Sequence, residues 1–185
     1  MLTWSAHPKA VWLMALISFA ESSFFPLPPD AMLVPMVLAQ RKRAFFLAGV
    51  CTLFSVLGGM AGYLIGLWFF EGVAQPILEF YGAMAHYHRI ADMYEAYGEV
   101  LILLAGVSPI PYKVFTISSG AFHFNLITFL ILSALSRGAR FFLEALILWR
   151  WGETAQAFLD RHFNTLCYAG AVLLISGFLI LKLWL

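Results

Sequence analysis

The sequence predicts an all-α, polytopic membrane protein built from two inverted repeats. Each repeat is a re-entrant helical hairpin followed by a long transmembrane helix, and a final C-terminal transmembrane helix completes the chain. Three observations carry this. Of 185 residues, 62% are hydrophobic and 11% charged, with a mean hydropathy of +0.86. A soluble domain is about 45–50% apolar and about 25% charged, so the apolar surplus here needs lipid as its solvent. Three apolar runs reach the about 20 residues that cross a bilayer, and ahead of each of the first two stands a shorter apolar stretch broken by prolines.

The first apolar run, residues 10–25, is short for a span. It breaks at Pro26, Pro28 and Pro29 and resumes over 31–40. Proline removes a backbone donor and stops a helix, and non-helical backbone at membrane depth survives only inside protein or beside water. The break reads as a re-entrant hairpin; the alternative is two short helices joined by an external loop. Glu21 and the prolines fall where a signal peptide would carry its small-residue cleavage site, so the first segment is expected to be retained. Arg41-Lys42-Arg43 closes the unit and, with Lys9, is expected on the cytoplasmic side.

Residues 44–70 form the first full span. Gly58, Gly62 and Gly66 recur every fourth position and make a small-residue face for close helix packing. Residues 71–98 are the most polar part, with Glu71, Glu79, His86, His88, Arg89, Asp92 and Glu95 among aromatic side chains, which suits interfacial amphipathic helices. His86 and His88 point apart on a helix and have no clustered partners, so no metal is expected. Residues 100–107 are short and apolar again, Ser108-Pro109-Ile110-Pro111-Tyr112-Lys113 breaks them, 114–122 resume, and 126–149 make the second full span. A softer amphipathic stretch, 152–164, leads to the last span, 165–184. One membrane domain results: repeat one over 1–70, an interfacial segment over 71–98, repeat two over 99–151, and the closing segment over 152–185. An odd number of full spans separates the hairpins, so they should enter from opposite faces and approach at mid-depth, where interrupted helices point to a transport site.

Charges inside apolar helices mark function, because one near the bilayer centre costs about 2.5–3.5 kcal/mol on insertion scales. Glu21 and Asp30 bracket the first proline break. Arg137, Arg140 and Glu144 share one face of the second long helix, and Ser133 extends that stripe. Arg140 and Glu144 are spaced to neutralise each other, which leaves Glu21 and Asp30 as countercharges for Arg137. Lys113 adds a cation at the second break, so six candidates balance three against three. Two readings stay open: a static ion-pair network, or a switchable site whose arginines hold an anionic head group while the carboxylates take up protons.

A net charge of +1 gives no field for nucleic acid. Cys51 and Cys167 read as small membrane-buried thiols. No zinc-protease, Walker or Rossmann motif occurs, and Ser118-Ser119-Gly120 lacks a buried histidine partner. His123 reads as a cap or interface residue. Neither enzymatic activity nor a cofactor is expected.

The run from Glu21 to Asp30 around its prolines, the Gly58-x3-Gly62-Tyr63-x2-Gly66 helix, Ser108-Pro-Ile-Pro-Tyr-Lys113 and Ser119-Gly120-Ala121 together resemble the DedA superfamily, also called the VTT or SNARE-associated Golgi domain family. The YqaA-like branch, with its Pro-x-Pro-Tyr-Lys-x-Phe-Thr run and Arg-x-x-Arg-Phe helix, is the nearest likeness, and it covers roughly residues 19–152. The resemblance implies opposed re-entrant hairpins in a bacterial inner membrane. It also implies movement of lipids or lipid-linked phosphates between leaflets, with proton coupling in some members. Glu21 and Asp30 match the acidic pair of the family's first hairpin, and Lys113 stands near the second arginine of an Arg-x-x-Pro-x-x-Arg motif. The first arginine of that motif has no counterpart here, and Leu67 replaces a basic residue common after Gly66. The implied function is transport of an anionic, phosphate-bearing lipid, with membrane lipids and protons as partners. A proton- or cation-coupled antiporter and a non-transporting membrane scaffold are the alternatives.

Overall fold

A computed structural model describes residues 8–23, 25, 28–82, 84–107 and 111–152. Pro26, Pro109, Cys167 and nearly all of the closing segment expected over 152–185 lie outside the described residues. The chain divides into two compact units, Met1–Trp149 and Arg150–Leu185, and the described fold is that of the first. It is all-helical, with no strand among the described residues.

Helix α1 spans Pro8–Ser23 and opens on a proline, at a position where a missing N–H leaves no bond unmade. Helix α2, Asp30–Ala39, starts behind Pro29, and Asp30 in its first turn complements the helix dipole. A 3-10 turn over Arg41–Arg43 leads into α3, Ala44–Phe69, which runs on through a π turn, Phe70–Ala74, into α4, Gln75–Phe80. Helix α5 covers Met84–Val107, α6 covers Tyr112–Ala121, and α7 covers Leu126–Gly152.

Among the described residues, two helices are long and apolar enough to cross a membrane: the continuous rod Arg41–Phe80, of 40 residues, and Leu126–Gly152. Both were legible as full spans. At 1.5 Å per residue the rod is about 60 Å long, and a hydrocarbon core is about 30 Å thick. Its far end, from Glu71 to Phe80, therefore has room to stand clear of the apolar layer, as the polar composition there requires.

Small residues set how α1, α3 and α6 pack. A Cβ on Gly58 would collide with the carbonyl oxygen of Phe19 in α1, and one on Gly66 with that of Ile117 in α6. Gly62 sits between the two neighbours, facing Thr116 and the backbone of Ser22. The glycine face of α3 thus holds one helix from each proline-broken segment; the spacing anticipated close packing but not these partners. Backbone approach this close is how apolar helices associate where lipid competes equally for their side chains.

Two boundaries differ from the sequence reading, the first being the break expected between residues 70 and 71, through which the rod Arg41–Phe80 runs on. Residues 71–98 were separated at Gly98 from an apolar arm over 100–107, yet Met84–Val107 is one helix. Gly98 serves packing here: a Cβ would lie 2.9 Å from the ring of Phe124. Tyr87 and Tyr94, two turns apart on the same face, tie α5 to α6. The Tyr87 hydroxyl donates to the Ala121 carbonyl at 2.7 Å, and the Tyr94 hydroxyl lies 2.8 Å from Ser119 Oγ.

His123 ends α6 with φ +54°. The Phe124 N–H donates to the Ser119 carbonyl at 2.9 Å and the His123 N–H to the Gly120 carbonyl at 3.1 Å. That is the Schellman pattern, with histidine where glycine is usual. Asn125 then caps α7, its Oδ1 accepting from the Thr128 N–H at 3.0 Å. His123 therefore stands just past the end of α6, and the cap at the start of α7 falls to Asn125 instead.

Candidate functional site

The site is assembled by α7 against the two ends of the first proline break. Glu21 lies in the last turn of α1 and Asp30 in the first turn of α2, so the break presents one carboxylate on each side. Arg137 and Arg140, one turn apart on α7, meet them separately. Arg137 Nη2 lies 2.7 Å from Glu21 Oε2, and Arg140 Nη2 pairs with Asp30 Oδ2. The pairing corrects the spacing argument in one respect. Arg140 takes its countercharge from Asp30 across the fold rather than from Glu144 on its own helix.

The two pairs differ in burial. Arg137 is 1% exposed and Glu21 15%, whereas Arg140 and Asp30 are 26% and 28% exposed. The inner pair is also the better furnished. Arg137 Nε donates to Ser55 Oγ at 2.6 Å. Ser55 therefore turns its own hydrogen to Ser22 Oγ, 2.7 Å away, and Ser22 donates to Glu21 Oε2 at 3.2 Å. A closed ring of donors and acceptors surrounds one buried charge pair. The guanidinium also lies over two rings, 5.1 Å from the centroid of Tyr112 and 4.7 Å from that of Phe141, where the ring faces attract a cation. Tyr112 itself donates to Ser133, the residue that extended the α7 charge stripe in the sequence.

Two buried polar atoms have no hydrogen-bond partner among the described residues: Arg137 Nη1, a donor, and Asp30 Oδ1, an acceptor. Glu144 stands within electrostatic reach of Asp30 and Arg140, and the three side chains line one cavity of about 490 Å³. The site therefore holds Glu21, Asp30, Arg137, Arg140 and Glu144 together. Lys113 is set apart, forming no ion pair among the described residues.

Residues near the second break reach the first all the same. Thr116 Oγ1 lies 3.1 Å from the Ser22 carbonyl oxygen and 3.0 Å from that of Lys113. Pro28 is exposed, Pro29 buried, and Pro111 directly precedes α6. No group of metal-ligating side chains occurs among the described residues. Ser22, Ser55 and Tyr112 were missed in the sequence. Serines at 18 and 22, one turn apart in an otherwise apolar helix, were the available signal, and both are buried and hydrogen-bonded to α3.

Fold and site together define a protein whose described residues are all-helical, with two membrane-length helices among them and two ion pairs, one buried and one partly exposed. The chain belongs to the same family as a protein of Haemophilus influenzae described only as uncharacterized, with which it is 36% identical over 98% of this chain and 94% of that one. A homologue of the same description from Histophilus somni is 32% identical over the same shares. No family model matches the chain, and no solved structure does.

Proposed function

We propose that the protein is a carrier of the DedA superfamily, in its YqaA-like branch, that moves an anionic, phosphate-bearing lipid between the leaflets of a bacterial inner membrane. The observation that carries this is the pairing of Arg137 and Arg140, inside a membrane-length apolar helix, with carboxylates from the two sides of one proline break. Arginine keeps its charge in apolar surroundings and matches phosphate geometry bidentately. An incoming phosphate replaces a carboxylate on the arginine, and the displaced acid takes a proton, so the site never carries an uncompensated charge into lipid. In this reading the proline-broken segments are re-entrant hairpins of two inverted repeats, the charged cluster lies at their meeting point, and a proton gradient biases the cycle.

Reconstitution tests it. Purified protein in lipid vesicles should accelerate leaflet exchange of a chain-labelled phospholipid, and Asp30→Asn or Arg140→Ala should abolish the gain. Folded protein that moves no lipid removes the proposal. Ion exchange across the vesicle wall without lipid movement would identify an antiporter instead. A second reading rests on the near-complete burial of Arg137 with its serine ring, which suits a static lock between α1, α3 and α7. Both readings hold if the inner pair is the lock and the outer pair does the work.

A further inference from the structure

Away from the charge cluster, at the basic turn that opens the rod, two cavities share Arg43 in their walls. One, of about 550 Å³, lies against Arg41, Lys42 and Arg43. The other, of about 390 Å³, is a slot between α1 and α3, walled by Val11, Trp12, Ala15, Phe46, Val50 and Phe54. Phe46, Val50 and Phe54 recur along one face of α3. From Arg43 to Phe54 the helix rises about 16 Å at 1.5 Å per residue, and half of a hydrocarbon core about 30 Å thick is about 15 Å. The slot is therefore one leaflet deep, with its basic rim at head-group level. Trp12, 67% exposed and edge-on to Phe54 with 6.4 Å between ring centroids, is a residue type that membrane interfaces favour. Lys42 and Arg43 are exposed as well. An apolar slot under a rim of one charge sign selects an amphiphile whose head carries the other.

We propose that this slot holds one acyl chain of a resident anionic phospholipid, whose phosphate lies against Arg41-Lys42-Arg43. A zwitterionic head group would bring its own ammonium to three cations, and a soluble phosphate would leave the apolar slot unfilled. The lipid is bound here rather than moved: it fills the seam between α1 and α3 at the end remote from Glu21. The proposal therefore stands apart from the carrier reading and holds equally for a static scaffold.

Fluorescence of Trp12 reads the slot directly. The full-length protein is placed in phosphatidylcholine bilayers containing a small fraction of lipid brominated on its chains, and the Trp12 signal is the difference between wild type and Trp12→Phe. Brominated phosphatidylglycerol should quench that signal at a mole fraction about 30-fold lower than brominated phosphatidylcholine, the worth of two basic side chains near an anionic head group. Lys42→Gln with Arg43→Gln should bring the two curves together. Equal curves in the wild-type protein overturn the proposal, as does a preference that survives the loss of both cations.

Val50→Phe fills the slot and leaves the rim charged, so it should abolish quenching at low mole fraction. Quenching that survives it would mean general attraction to a basic surface and overturn the slot. Should Val50→Phe not fold, glycerol 3-phosphate in excess decides with the wild-type protein: a lipid held by its chain stays, and one displaced by the free head group overturns the assignment. Asp30→Asn keeps this site distinct from the carrier, since it should stop lipid movement and leave the quenching unchanged. Loss of both together would make the slot part of the carrier's own path and overturn a resident lipid.

Discussion

At the scale of single residues, burial separates two ion pairs that composition made look alike. Removing one partner of a buried pair leaves an uncompensated charge and costs about 3–5 kcal/mol, whereas an exposed pair contributes about 0–1 kcal/mol. Glu21→Gln strands Arg137, which is 1% exposed; Asp30→Asn strands Arg140, which is 26% exposed and within reach of Glu144. Thermal unfolding in detergent should therefore show a large loss for Glu21→Gln and a small one for Asp30→Asn, and equal shifts would sink the distinction. His123 gives a prediction of the opposite sign. Its φ of +54° costs a residue with a Cβ about 1–2 kcal/mol, which glycine avoids. His123→Gly should raise the unfolding temperature or leave it level, and a fall would mean that the side chain does more than end α6. All five clustered charges were readable because an ionisable group in an apolar run has no other excuse. Their pairing was half legible: Glu21 was among the countercharges expected for Arg137, but i, i+4 spacing favoured Arg140 with Glu144 and only the approach of α2 to α7 decides for Asp30. Ser55 and Tyr112 were invisible for a different reason: a hydroxyl in a membrane helix is cheap enough to carry no signal.

At the scale of helices, α3 is the element on which the rest is registered. Its glycine face was legible from spacing alone, and so were the extents of α3 and α7, because length and hydropathy fix them directly. Helix α5 was misdivided because a glycine at the edge of a polar stretch resembles a break, and only the approach of Phe124 reveals it as a packing position. A matched set of substitutions on α3 tests this account. Gly58→Ala and Gly66→Ala drive a Cβ into backbone carbonyls of α1 and α6 that cannot turn aside. Each should cost at least the about 1–3 kcal/mol typical of overpacking and appear as loss of the monodisperse peak on size exclusion. Gly49→Ala, where a Cβ meets nothing within 4 Å, should instead gain about 0.5–1 kcal/mol from helix propensity. If all three behave alike, helix propensity rather than close approach governs the face.

Across the whole molecule, the charge pairs join parts of the chain far apart in sequence: Glu21 and Arg137 are separated by 116 positions, Asp30 and Arg140 by 110. That separation is why the cluster as a unit could not be assembled from local patterns, although the residues in it could. It also makes one double substitution decisive between a lock and a carrier. Replacing a buried ion pair by apolar or neutral side chains of similar volume is often neutral or stabilising, while removing either member alone is costly. Glu21→Gln with Arg137→Met should therefore recover most of the stability that Glu21→Gln loses by itself, read as the unfolding midpoint in detergent. What the rescued protein then does in vesicles separates the readings. A pair that only holds α1 against α7 regains lipid movement along with its stability, at a rate near wild type. A pair whose guanidinium must accept phosphate during the cycle regains stability and stays inactive. The first outcome assigns transport to Asp30, Arg140 and Glu144 alone; the second brings Arg137 into the path of the head group, where its buried Nη1, without a partner among the described residues, is the donor already waiting.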